Sequence, residues 1–331
     1  MVRDLEEETI LVTGATDGLG KRVASALAGR GGTVLLHGRG RDRLEATFEQ
    51  IREQTGNEKL RCYLANPSSL GAVRGLAEHI LSDEERLDVL VNNAGVISPE
   101  SEDGHELTFA VNYLSHFLLT SLLLPLLRAS APVRIVNVAS AGQSPLDFGD
   151  PMFERGYDAM GAYTRSKLAQ VAFTFESAGR LQGTGVTANA LHPASLMDTK
   201  MVRGTFGYTM STVEEGAEAV VRLAASPELE GVTGRYFDGM REAREPAGPR
   251  RAGQEEALGL ERGAVRAIAR TRRAPVIDAR LRVAPTLAVL GRACLEDRSG
   301  LCVLIPSSGV RRKRGLRWRP QSSGRHGALR G

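Results

Sequence analysis

Short apolar runs alternate along the chain with stretches whose apolar residues recur every three or four positions. The runs "TILVT" (9–13), "TVLLH" (33–37), "LRCYL" (60–64), "LDVLVN" (87–92), "VRIVNVAS" (133–140), "VTANALH" (186–192) and "GRYFD" (234–238) predict seven strands. Most are continuously apolar, as strands are when both faces of a parallel sheet are covered. Between them, 19–31, 68–81, 104–128, 160–182 and 212–225 carry helical spacing. The first of these ends in glycine, and the second opens on a serine able to cap it. Such alternation predicts an α/β fold: a doubly wound parallel sheet of Rossmann type, about seven strands, with helices on both faces. No internal repeat is visible.

The pattern dissolves near residue 245, where "REPAGPRRAGQ" reads as a linker. Charge changes at the same place. Residues 245–331 hold 19 Lys and Arg against 7 Asp and Glu, whereas 1–244 hold 24 against 32. The basic balance of the 331-residue chain therefore belongs to the extension. This predicts a folded body over 1–244 and a low-order, Arg-rich extension over 245–331. Three accounts of the extension stand open: an appendage without function, translation of an altered reading frame, or a basic arm for nucleic acid or an anionic membrane. "RRKRGLRWR" (311–319), with Trp318 available to stack, motivates the third, although nucleic acid is not the expected partner.

Composition excludes several classes. Cys62, Cys294 and Cys302 are sparse, odd in number and without zinc-ligand spacing, which speaks for a reducing compartment, read as cytoplasmic. "MVRDLEEETI" is charged from its third residue, unlike a signal peptide. The apolar run "FLLTSLLLPLL" (117–127) is shorter than the ~20 residues of a membrane span. His37, His105, His116 and His192 show no metal pairing, and Asp147 and Asp150 read as loop residues; no metal is expected.

"LVTGATDGLGKRVA" (11–24) joins a strand, a glycine-rich turn and a helix start. Gly14, Gly18 and Gly20 let backbone approach a diphosphate, to which the helix N-terminus offers free N–H groups and a positive dipole end. The second strand runs into "LLHGRG" with no acidic residue to grip a ribose diol; Arg39 stands there and suits a 2′-phosphate. NADP(H) is therefore expected over NAD(H).

Five motifs in this order resemble the short-chain dehydrogenase/reductase family over about residues 8–240: "TGATDGLG" (13–20), "NNAG" (92–95), Asn112 in "FAVNYLSHF", Ser140 in "VNVAS" and "YTRSK" (163–167). The 23-residue step from Ser140 to Tyr163 is similar to the retinol dehydrogenase and WW-domain oxidoreductase branch, which handles apolar alcohols, aldehydes and ketones. The resemblance implies Tyr163 as acid/base, Ser140 as the hydroxyl that orients the carbonyl, Lys167 as ribose ligand and Asn112 as a helix-interrupting relay residue. It implies cofactor contacts from Gly14, Thr16, Asp17, Gly18, Leu19, Gly20, Arg39, Asn66, Asn92, Asn93, Ala94, Gly95, Pro193 and Thr199. Members occur as monomers, dimers or tetramers, so a homo-oligomer is compatible with the resemblance.

Tyr163 and Lys167 stand four apart, which puts them on one helix face. An ammonium there is expected to lower the tyrosine pKa from ~10 towards the working pH. Two positions depart from the family. Asn66 replaces the usual Asp, keeping an acceptor for the adenine amino group but no charge. Ala194 and Ser195 follow "HP" where glycine is frequent. The segment 194–212, rich in Met and aromatic residues, predicts an apolar pocket and a small apolar carbonyl or alcohol as substrate. The alternatives from other classes are an NADP(H) sensor or scaffold without turnover, and nucleic-acid binding through the extension.

Overall fold

The computed structural model describes residues 5–97, 106–147, 150 and 152–243. Strands β1 (Thr9–Val12), β2 (Thr33–Gly38), β3 (Leu60–Leu64), β4 (Val89–Asn92), β5 (Val133–Val138), β6 (Val186–His192) and β7 (Tyr236–Asp238) form on all seven predicted runs. They make one sheet in the order β3-β2-β1-β4-β5-β6-β7, parallel throughout. A two-residue strand, β8 (Arg241–Glu242), adds an eighth, antiparallel member at the β7 edge. The order reverses between β1 and β4, and such a switch point opens a crevice at the carboxyl ends of the strands.

The strands are continuously apolar because neighbouring residues feed two cores. Ile10, Val12, Val34, Leu36, Val89 and Val91 pack into one, with α1 (Gly18–Ala28) and, later in the chain, the helix Val213–Ala225. Leu11, Leu35 and Leu90 pack into the other, with α3 (Leu70–Asp83) and α4 (Leu107–Ala129). A polar residue at either parity would be buried, so period-two alternation is absent.

Two helices lie where none was predicted. The first is α2 (Arg41–Thr55). It buries only Leu44, Thr47, Phe48 and Ile51, a stripe too thin to show through its charged residues. The other is α6 (Lys200–Phe206), which buries nothing. Between them in the chain, α5 (Ala159–Arg180) carries the "YTRSK" segment, and α7 (Val213–Ala225) follows α6 behind a Thr212–Glu215 capping box.

α4 contains a wide π-type turn at Ala110–Leu114, with the Ser115 N–H bonded to Ala110 O and Asn112 at its centre. Single π turns inside helices gather at functional sites. By length and composition α4 could cross a membrane, which the 117–127 run alone did not suggest. In the fold it serves as a core helix, with Leu119, Leu123 and Leu127 packed beneath the sheet. The expectations for 245–331, the boundary at 244/245, His105, Cys294 and Cys302 lie outside the described residues. Among the described residues no group of three metal-binding side chains gathers.

Candidate active site

A cleft of about 620 Å³ lies at the carboxyl ends of the strands. Gly14, Thr16, Asp17, Gly18, Leu19, Gly20, Arg39, Asn93, Ala94, Gly95, Ser140, Tyr163, Lys167, Pro193 and Thr199 all line it. Of the predicted residues, Asn66, Asn92 and Asn112 do not.

The turn between β1 and α1 closes only because it is glycine. Gly14 adopts φ +67°, and a Cβ there would stand 2.9 Å from Ala94 Cα. A Cβ on Gly20 would collide with Gly14 O and Asn93 Nδ2. Asn93 braces this turn by donating to Thr13 O at 2.8 Å. Asp17 caps α1 at Gly18 N and receives Lys200 Nζ at 2.8 Å across the cleft mouth. Burial alone would raise the Asp17 pKa, but Lys200 and the Gly18 N–H together hold it below the usual carboxylate range.

His37, at the end of β2, holds the same turn from the other side. Its Nδ1 accepts from Gly14 N at 3.2 Å and its Nε2 donates to Ala65 O at 3.1 Å. Burial lowers its pKa to about 4, so the ring is neutral at working pH. Arg39 and Arg43 both line the cleft beyond it, are exposed, and enter no ion pair among the described residues. Arg43 was missed by the sequence because it belongs to the unpredicted α2.

Three expectations need correction. Asn66 does not reach the cleft; its Oδ1 accepts from Ser68 N at 3.2 Å in the turn before α3, and Pro67 takes the lining position. Asn92 ends β4 pointing into the core, where Nδ2 donates to Thr120 Oγ1 at 3.0 Å and Asn137 Oδ1 at 2.8 Å. The third concerns the tyrosine. Lys167 Nζ sits over the Tyr163 ring, 5.7 Å from its centre, and donates to Val138 O at 2.8 Å and Gln170 Oε1 at 2.9 Å. Burial raises the Tyr163 pKa above its ordinary value, and the hydrogen bond with Ser140 opposes this only in part. Burial likewise lowers Lys167 to about 7. Here desolvation outweighs the expected pull of the ammonium on the phenol.

Ser140 is held from two sides. Its carbonyl accepts from Tyr236 Oη at 2.9 Å and Gln143 Nε2 at 2.8 Å, while its Oγ accepts from Gly142 N at 3.1 Å. Neither Tyr236 nor Gln143 stood out in the sequence. Asn112 is fully buried and spends its amide on Val96 N (2.8 Å), Val96 O (3.1 Å) and Ser166 Oγ (3.0 Å). It thereby clamps the chain after β4 to α5.

Part of the lining is apolar. Met160, Leu196, Met197, Met201 and Phe206 form it. Leu196 takes φ +45°, in the left-handed region that costs an L-residue about 1–2 kcal/mol. The glycine missing from "HPAS" is thus answered two residues later by strain. Thr199 Oγ1 accepts from Val202 N at 3.2 Å, capping α6, and its hydroxyl proton remains free to donate.

The family model described as short chain dehydrogenase matches residues 8–207. The chain is 43% identical to retinol dehydrogenase 13 of Mus musculus over 256 residues, covering 71% of this chain and 76% of that protein. It is 39% identical to retinol dehydrogenase 14 of Homo sapiens over 265 residues, covering 71% and 79%. Among solved structures, a short chain dehydrogenase from Shigella flexneri complexed with NADP aligns at TM-score 0.61 and 26% identity, covering 72% of this chain and 99% of that one.

Proposed function

Because the chain belongs to the short-chain dehydrogenase/reductase family, in its retinol dehydrogenase branch, and is an oxidoreductase, we propose that it interconverts an apolar alcohol and its aldehyde or ketone with NADP(H). The carrying observation is one cleft that joins the glycine turn, the Arg39 and Arg43 side chains, and Ser140 with Tyr163.

The residues fit a dinucleotide. Gly14, Gly18 and Gly20 let the turn fold tightly against Ala94, Asn93 and Thr199, where Cβ atoms would crowd it, and α1 presents its N-terminus to the cleft. Arg39 and Arg43 would take a 2′-phosphate through charge-assisted bonds. A bound nicotinamide would supply or accept the hydride. Lys167 has a third N–H, beyond those given to Val138 and Gln170, for the ribose hydroxyls.

Tyr163 stands protonated at neutral pH and gives its proton to the carbonyl oxygen during reduction. Ser140, fixed by Tyr236 and Gln143, donates where negative charge develops on that oxygen. Asn112 braces this arrangement through Val96 and Ser166. The Met and Phe wall excludes water and favours an apolar substrate. The free thiol of Cys62 suits a reducing compartment.

Initial rates with NADPH and with NADH, against apolar aldehydes (retinaldehyde among them), ketones and quinones, test the reading. Turnover with NADPH and an apolar carbonyl is expected. Binding of NADPH with no reaction across the panel would favour the sensor reading instead.

A further inference from the structure

We propose that Gln170 and His116 are positioning residues for Lys167. They form a directed run of hydrogen bonds that pins its amine at the cleft wall and anchors it to α4, beside the strand end bearing the glycine turn. The inference rests on Lys167 serving the reaction proposed above.

Both residues are buried, with 0% of Gln170 and 1% of His116 exposed, and neither lines the cleft. Neither can touch substrate. The direction of the run follows from one end. An ammonium cannot accept, so Gln170 must turn its oxygen to Lys167 Nζ, at 2.9 Å. Its Nε2 then faces His116 Nδ1 at 3.0 Å, and an N–H meeting a ring nitrogen requires a lone pair there. The neutral ring therefore carries its proton on Nε2, 3.4 Å from Thr13 Oγ1. Thr13 Oγ1 already accepts from Asn93 N (2.8 Å) and Ala94 N (3.0 Å), and gives its own proton to Val91 O at 3.2 Å. Reversing either the Lys167–Gln170 or the Gln170–His116 link sets two donors face to face.

Thr13 immediately precedes Gly14. The Thr13 hydroxyl pegs the glycine turn and the Asn93–Ala94 backbone with both lone pairs, so the His116 Nε2–H only abuts it at 3.4 Å and the run from Lys167 ends at the His116 ring. The surroundings keep the run intact. Burial first, then the nearby Lys167, lowers the His116 pKa to about 3, so the ring stays neutral. The titratable groups facing Lys167 are Tyr163 on its own helix and His116 on α4, while His37 of β2 faces His116. Gln170, whose neighbours Ala169, Val171 and Phe173 in α5 are buried and apolar, carries a desolvation penalty that plain packing does not require.

The chain has five lysines, so lysine labelled with ¹³C at Cε resolves the titration of Lys167 in the full-length protein. The wild-type midpoint is expected near 7. In Gln170→Glu a carboxylate faces the amine and the His116 ring must move its proton to Nδ1; the midpoint is expected to rise by about one unit or more. In Gln170→Met and His116→Leu it is expected to fall, with kcat reduced by about tenfold and the KM for NADPH less affected. His116→Asn, whose side-chain oxygen can accept from Gln170, is expected to restore both.

Midpoints that move in the same direction in Gln170→Glu and Gln170→Met, or not at all, overturn the proposal, as does a His116→Leu enzyme with wild-type kcat. If Gln170→Met does not fold, Gln170→Glu, which keeps volume and polarity, decides the point. Wild-type protein that turns nothing over refutes the functional reading, yet the titration still judges this one.

Discussion

Lys167 Nζ lies 5.7 Å from the centre of the Tyr163 ring and gives two of its donors to Val138 O and Gln170 Oε1. The pair shares a helix face, as four-residue spacing requires, and the amine is held by Val138 O and Gln170 Oε1. Burial raises the Tyr163 pKa, which keeps the phenol protonated at neutral pH.

Tyr163→Phe removes the proton donor and leaves the cleft wall in place. We expect kcat to fall by roughly 10²–10⁴. NADPH affinity should stay near wild type in a fluorescence titration. Turnover within a few-fold of wild type would remove Tyr163 from the chemistry.

The two directions of reaction should respond oppositely to pH. A raised Tyr163 pKa keeps the phenol protonated into alkaline solution, so carbonyl reduction should hold its rate up to about pH 10, the ordinary tyrosine value. Alcohol oxidation needs the phenolate and should climb over the same interval. Steady-state profiles in both directions check this; a reduction rate that fails below pH 9 contradicts it.

Arg39→Ala and Arg43→Ala should each lower kcat/KM for NADPH by about 10- to 100-fold, the size of a lost charged hydrogen bond. The value for NADH, which lacks the 2′-phosphate, should barely change. Equal losses with both dinucleotides would place the two arginines elsewhere in the binding process.

Acid should weaken the fold through two histidines. His37 and His116 have folded pKa values of about 4 and about 3, below the ordinary 6.5. The unfolded chain therefore binds more protons below pH 6.5, and stability that is complete above that value is lost as pH falls towards 4. The slope is about 1.4 kcal/mol per pH unit for each ring. Urea midpoints between pH 7 and 4.5 measure it, and His37→Gln should make the curve shallower.

Gly20→Ala sets a methyl against Gly14 O and Asn93 Nδ2. We expect a destabilisation of about 1–3 kcal/mol and loss of NADPH binding, because relief requires the turn to move. A variant that binds NADPH normally would show that the turn yields freely.

The sheet was legible because strands β1 to β6 supply both cores; continuous apolar runs such as "TILVT" admit few other readings. α2 was hidden because burying four residues leaves its charges to dominate the pattern, and Arg43 was hidden with it. Ser140, Tyr163 and Lys167 showed in sequence through order and spacing. His37, Gln170 and Tyr236 did not, since each works through contacts with residues distant in the chain. The ring-facing posture of Lys167 was illegible for a similar reason: spacing gives the helix face, but the acceptors at Val138 and Gln170 decide where the amine settles.

Lys200 and Asp17, both well exposed, form an ion pair across the mouth of the cleft from α6 to the glycine turn. A surface ion pair of this sort contributes at most about 1 kcal/mol and weakens as salt rises. It behaves as a light clasp: thermal motion opens it many times before a dinucleotide has diffused away, so replacing spent cofactor asks for no unfolding of the barrier that shelters the substrate.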